Sequence, residues 1–85
     1  MEKVKVYGAD WCGPTRRTLM HLDELGVEYE YIDVDHDEAA SQWVKDQNNG
    51  KEKKPTLQIG DQTLTAPSNR QLDETLREEN VLIRT

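Results

Sequence analysis

Three consecutive segments constrain this chain's fold more than any other feature. Lys3-Val4-Lys5-Val6-Tyr7 alternates polar and apolar residues at period two, which marks a strand that ends at Gly8. Leu19, Leu22 and Leu25 then recur every third residue, on one side of a helix that opens with Pro14 in its first turn and stops at Gly26. From Glu28 to Val34 the residues Tyr29, Tyr31, Ile32 and Val34 supply the aromatic and β-branched content of a second strand. A strand, a helix and a strand in succession form a crossover, so the first two strands must run parallel.

The remaining segments add antiparallel partners. Asp35 or Asp37 caps a second helix, which carries Ala39, Ala40, Trp43, Val44 and Gln47 at helical spacing and ends at Asn48-Asn49-Gly50. Trp43 is assigned to the core on that spacing. Pro55 to Ile59 reads as a third strand, and the tight pair Gly60-Asp61 leads into a fourth around Thr63, Leu64 and Thr65. Ser68, after Pro67, caps a last helix with Gln71 as its capping-box partner and Leu72 and Leu76 on its buried side. Val81, Leu82 and Ile83 make a short apolar tail that is expected to pack. The predicted order is β-α-β-α-β-β-α, an α/β fold in which helices flank a four-stranded mixed sheet.

With 85 residues, of which 34% are hydrophobic and 33% charged, the chain suits one domain over 1–85 with a modest core. The formal charge of −6 argues against nucleic acid or an anionic membrane as partner, because phosphate binding needs a basic face. No apolar run approaches the roughly 20 residues of a membrane span, nor is there a secretory segment. Cytoplasmic location and a monomer are therefore expected. A single cysteine excludes an internal disulfide and agrees with a reducing compartment.

That cysteine, Cys12, stands in Trp11-Cys12-Gly13-Pro14-Thr15, between the first strand and the first helix. The thiolate is the nucleophilic form of cysteine, and the unpaired N–H groups and dipole at a helix start favour negative charge. Asp10 opposes that effect, whereas Lys53 and Lys54 offset it if the fold brings them close. A bland reading makes Cys12 a small buried apolar residue. Thr15 occupies the position where a C-x-x-C motif carries its second sulfur. Its hydroxyl either points back at the thiol or bonds backbone in the first turn. Arg16 and Arg17, in the same helix, either hold a ligand carboxylate or face water.

The element order, the Trp-Cys-Gly-Pro sequence opening the first helix and a proline at the third strand resemble the thioredoxin superfamily over nearly the whole chain. Within it, the chain resembles mycoredoxin-like and monothiol glutaredoxins, through Asp33-Val34-Asp35, Asn48-Asn49-Gly50, Lys53-Lys54-Pro55-Thr56 and Leu64-Thr65-Ala66-Pro67-Ser68. The resemblance implies a thioredoxin-like (glutaredoxin) fold in which Cys12 attacks disulfides, aided by Thr15. It also implies a cis peptide before Pro55 and a thiol-binding groove at Trp11, Lys53, Lys54, Pro55, Ala66, Pro67, Ser68 and Asn69. The backbone of Lys54 pairs there with a bound thiol peptide as an added strand would. Glutathione-using members carry Gly-Gly and then Asp after the fourth strand, where this chain has Ala66-Pro67-Ser68-Asn69. Ser68 and Asn69 offer hydroxyl, amide and helix-start N–H groups to an anionic or sugar-bearing thiol.

The function so implied is monothiol thiol–disulfide exchange on mixed disulfides between proteins and a low-molecular-weight thiol, glutathione or a mycothiol-like compound. That thiol is a co-substrate, and no tightly bound cofactor is expected. The alternative is a module of the same fold that binds a thiol, a protein or an iron–sulfur cluster without turnover. Cluster-carrying monothiol relatives follow the cysteine with Gly-Phe-Ser rather than Gly-Pro-Thr, and one cysteine cannot supply the usual four ligands. No metal ligands are assigned. Asp33, Asp35 and Asp37 imitate the start of a calcium loop but lack its glycine and terminal glutamate. His21 and His36 have no zinc-type neighbours and read as surface or packing residues.

Overall fold

The structure, a computed structural model, describes residues 3–82. Its elements are strand β1 (Val4–Gly8), helix α1 (Gly13–Leu25), strand β2 (Glu30–Asp33), helix α2 (Glu38–Gln47), strands β3 (Thr56–Ile59) and β4 (Gln62–Thr65), and helix α3 (Asn69–Glu78). The sheet order is β2-β1-β3-β4, so β1 is central and β2 and β3 lie on opposite sides of it. β1 pairs with β2 in parallel, Val6 opposite Tyr31, as the crossover requires. It pairs with β3 antiparallel, Val6 opposite Leu57, and the hairpin places Leu57 opposite Leu64.

Period-two alternation sends the two sides of the sheet into different cores. Val4, Val6, Leu57, Ile59 and Leu64 pack with Leu22 of α1 and Leu72 and Leu76 of α3. Fully burying an aliphatic side chain of this size contributes about 1.5–3 kcal/mol, and Val4, Val6, Leu22, Leu57, Ile59, Leu72 and Leu76 are all fully buried. On the other face Tyr7 and Ile32 meet Val34, Ala40, Val44 and Trp43 of the α2 layer. Trp43 stacks on Tyr7 with ring centroids 4.4 Å apart, the core role its spacing implied. Across the first core, His21 of α1 meets Asp73 of α3 at 2.6 Å.

Element ends follow from local chemistry. Asp37, not Asp35, caps α2 by accepting from the Ala40 N–H at 3.0 Å. Ser68 caps α3 by accepting from the Gln71 N–H at 3.1 Å. Gly26, at φ 71°, closes α1, and the Val27 N–H reaches back to the Leu22 carbonyl at 3.0 Å. That closure uses the residues just before β2, which is therefore shorter than the Glu28–Val34 segment expected from composition. Pro55 does not start β3 as expected, since it has no N–H for the ladder, and pairing begins at Thr56. Val81 and Leu82 pack half-buried against the first core, while Ile83 lies outside the described residues. Among the described residues no helix is long and apolar enough to cross a membrane.

Gly8 is where the main chain must be bare. A β-carbon there would lie 2.5 Å from Thr15 Cγ2 and 2.6 Å from Thr15 Oγ1, because the first turn of α1 crosses directly over the end of β1. Gly8→Ala is expected to cost about 1–3 kcal/mol, the usual range for overpacking. Thr15→Ala removes the two nearest obstructing atoms, so urea denaturation of the double variant should show a loss smaller than the sum of the two single losses.

The β2–α2 loop holds a pH-sensitive pair. His36 Nδ1 and Asp33 Oδ2 are 2.8 Å apart, a hydrogen bond that lowers Asp33 and raises His36 from their ordinary values. The stabilisation from His36 is complete below its ordinary 6.5 and is lost as pH rises through the raised folded value. That from Asp33 is complete above its ordinary 3.8 and is lost as pH falls through the lowered one. An NMR titration of the His36 ring should show a midpoint above 6.5 that Asp33→Asn moves down.

Candidate active site

Because α1 crosses over Gly8, the chain must reverse in a few residues at the end of β1. It does so in the turn Ala9–Cys12, closed by the Cys12 N–H on the Ala9 carbonyl at 3.0 Å. Cys12 is the N-cap of α1, and its carbonyl accepts from the Arg16 N–H at 3.1 Å. The thiol makes no capping bond and is left for other contacts. Its Sγ is only partly covered, with the residue 8% exposed, and faces the Lys54 carbonyl at 3.9 Å. The Lys54–Pro55 peptide is cis, which sets that carbonyl beside the sulfur. Burial and presentation at a helix start, offered by the sequence as rival readings, therefore coexist at Cys12.

Thr15 packs against the strand before it. It is fully buried under β1, and its Oγ1 accepts from the Ala9 N–H at 3.5 Å. The hydroxyl therefore makes the backbone contact that the sequence offered as one of its two readings, and the same packing that excludes a side chain at Gly8 turns Thr15 toward the strand.

The lysines are also employed differently from expectation. Lys54 extends its ammonium away from its own carbonyl, to 2.8 Å from Glu52 Oε1, 3.9 Å from Asp35 Oδ1 and 4.8 Å from the centre of the Trp11 ring. Two carboxylates thus neutralise the charge that was to support a thiolate. The ammonium holds Glu52 below the usual carboxylate range, helped by a hydrogen bond from Ser41. Lys53 is exposed, and its carbonyl accepts from Thr56 Oγ1 at 2.8 Å, so it belongs to the turn before β3. Trp11 is 65% exposed, and its indole N–H donates to Asp35 Oδ2 at 2.6 Å. Asp10 is engaged as well, accepting from Tyr31 Oη at 2.6 Å.

On the far side of Pro55 from this network lies a cavity of about 460 Å3, lined by Pro14, Arg17, Thr18, Pro55, Ala66, Pro67, Ser68 and Asn69. Five of these residues, Pro55 and Ala66 to Asn69, are groove residues of the sequence reading, whereas Trp11, Lys53 and Lys54 do not line it. Arg17 was singled out only for its charge, and Pro14 and Thr18 were not assigned to the groove. Their common face was readable, since residues 14, 17 and 18 stand three and four apart on one helix. The loop from β4 reaches the cavity through Ala66, whose N–H donates to the Pro55 carbonyl at 2.8 Å with φ at 44°. That left-handed conformation is unusual for a residue with a β-carbon. Ser68 spends its acceptor on the α3 cap. Among the described residues no carboxylate lines the cavity, and the one charged lining residue is Arg17. Among the described residues no three His, Cys, Asp or Glu side chains are grouped to hold a metal ion.

Comparison with known proteins agrees with this arrangement. The glutaredoxin family model matches residues 4–64, which include β1, the Cys12 turn, the cis-proline and most of β4. Mycoredoxin 1 of Corynebacterium glutamicum is 46% identical over 63 residues, covering 74% of this chain and 77% of that protein. The crystal structure of a glutaredoxin from Archaeoglobus fulgidus superposes with a TM-score of 0.75 at 27% identity, over 91% of this chain and 88% of that one. NrdH-redoxin from Escherichia coli, at 20% identity, shares the fold with a TM-score of 0.75 over 84% of this chain and 91% of its own. With its thioredoxin-like sheet and a lone cysteine at the head of α1, the chain belongs to the glutaredoxin family.

Proposed function

We propose that Cys12 works by a monothiol cycle on mixed disulfides between proteins and a small thiol. The protein is a thiol–disulfide oxidoreductase of the glutaredoxin type, and it has one cysteine with which to perform the exchange. The observation that carries the cycle is the position of that sulfur. It lies at the head of α1, free of any capping bond, and faces the carbonyl of Lys54, whose next residue, Pro55, lines the cavity.

In the first step the Cys12 thiolate attacks the small-thiol sulfur of the mixed disulfide. A sulfur–sulfur bond forms to Cys12 as the old one breaks, and the protein cysteine leaves as a thiolate that takes up a proton. In the second step another small thiol, as its thiolate, attacks the same sulfur. The symmetrical disulfide of two small thiols leaves, and Cys12 returns as thiolate. The net exchange consumes one free small thiol for each mixed disulfide: its sulfur passes from thiol to disulfide as the protein sulfur passes from disulfide to thiol. No step calls for a second cysteine, which is consistent with Thr15 packing as a structural residue.

The cavity is the seat we assign to the small thiol, with Pro55, Ala66, Pro67, Ser68 and Asn69 as its groove and Arg17 and Thr18 on the α1 side. Its lining favours a thiol without a free ammonium group. A cationic amine is best matched by a carboxylate, and among the described residues none lines the cavity, whereas hydroxyl, amide and guanidinium groups suit a sugar-bearing or anionic compound. Similarity to Mycoredoxin 1 supports the same choice of a mycothiol-like thiol over glutathione.

Turnover of peptide mixed disulfides carrying either thiol, with excess of the matching reduced thiol, tests the reading. The sugar-bearing thiol should support catalysis at least about tenfold better than glutathione, the discrimination that one unmatched polar group of about 1.4 kcal/mol gives. Cys12→Ser should reduce turnover to the uncatalysed rate with both. Equal turnover with both thiols would refute the choice of thiol, and turnover retained in Cys12→Ser would refute the mechanism.

A further inference from the structure

The turn at the end of β1 divides its side chains between the two neighbouring strands. Cys12 Sγ faces the Lys54 carbonyl, just before β3, at 3.9 Å, whereas the Asp10 carboxylate faces Tyr31 of β2 at 2.6 Å. β2 and β3 lie on opposite sides of β1, so two groups only two residues apart in sequence are held toward opposite edges of the central strand. An unheld Asp10 carboxylate beside the nucleophile would disfavour its reactive, charged form.

We propose that Tyr31 is a positioning residue for the reaction, holding the Asp10 carboxylate on the β2 side and so protecting the Cys12 thiolate from it. Other anchors do not perform this task. Arg16 Nη1 approaches the Asp10 carbonyl, not its carboxylate, at 3.5 Å. The Lys54 ammonium is held by Glu52 and Asp35. Asp33, Asp35 and the Asp33-paired His36 form the rest of the charged surroundings of Tyr31 and Asp10. Burial, followed by the bond to Asp10, pushes the Tyr31 hydroxyl far above its ordinary range, so it stays a neutral donor throughout the pH range in which a thiol titrates.

The inference rests on Cys12 being the nucleophile, but its test needs no redox partner. Alkylation of Cys12 by iodoacetamide is followed against pH in the whole protein, for the parent, Tyr31→Phe, Asp10→Asn and the double variant. Tyr31→Phe should move the midpoint of the rate profile up by about half a pH unit, roughly a threefold loss of thiolate at pH values below it, with the high-pH plateau unchanged. Asp10→Asn should move it little in the parent, where the carboxylate is already held away, and should abolish the rise in the Tyr31→Phe background. A Tyr31→Phe shift of equal size in both backgrounds, or none in either, overturns the inference, because a merely structural tyrosine would act independently of the Asp10 charge. Should Tyr31→Phe fail to fold, Asp10→Glu, whose longer arm breaks the bond to Tyr31 and keeps the charge, should raise the midpoint instead, and a midpoint that does not rise overturns the inference. A Cys12 that is inert at every pH refutes the proposed function instead.

Discussion

The contact between Gly8 and Thr15 sets the geometry of this end of the molecule. With no side chain at Gly8, the first turn of α1 lies directly on the end of β1, and the connecting chain must reverse within Ala9–Cys12. A turn that tight fixes three consecutive side chains in different directions. Asp10 reaches the Tyr31 hydroxyl on β2, Trp11 reaches Asp35 in the loop after β2, and Cys12 faces the peptide before β3. Moving α1 outward to make room for a larger residue would disturb all three contacts together. A threonine in this role contributes shape and one weak acceptor, not chemistry.

Charge around the thiol is arranged by pairing more than by accumulation. The chain carries 17 acidic and 11 basic residues, so a bare electrostatic count would oppose a thiolate anywhere on its surface. Near Cys12 the acids are occupied: Asp10 by a phenol, Asp35 by an indole and an ammonium, Glu52 by the same ammonium and Ser41. The ammonium is equally occupied and is not a free counter-charge. What remains for the sulfur is the start of α1, whose backbone dipoles are fixed by the helix and require no side chain to be positioned.

The fold was legible because its determinants are local and periodic. Alternation in Lys3–Tyr7, leucine spacing in α1 and the turn at Gly60-Asp61 each specify an element, and the crossover rule then orders the first two strands. The place of Cys12 at the head of α1 and the loop after β4 were legible from motif and resemblance. The contacts of Lys53, Lys54 and Thr15 were not, because they depend on which way a side chain leaves the backbone. Sequence places two lysines beside a proline, but only the cis peptide and the Glu52 carboxylate determine that one ammonium turns onto Trp11 while its carbonyl turns to the sulfur. Likewise, nothing in the local pattern around Asp10 names Tyr31, which is 21 residues away and arrives through parallel strand pairing.

The two sides of Cys12 differ in a way that bears on the order of exchange. Toward α3 there is a cavity of about 460 Å3 whose lining mixes Pro14, Pro55, Ala66 and Pro67 with Arg17, Thr18, Ser68 and Asn69, sized for one small molecule. Toward β2 there is an exposed indole held by a hydrogen bond to Asp35, with the Lys54 ammonium over its ring. A mixed disulfide has one small and one large half, and only the small half fits the cavity. In the proposed cycle this seats the small-thiol sulfur next to Cys12 and leaves the protein half over Trp11, so attack falls on the sulfur whose partner departs into open solvent. The protein cysteine is then the leaving group in the first step, and the adduct left in the cavity is the one a second small thiol resolves. Asymmetry of the cleft, and not a second cysteine, gives the exchange its direction.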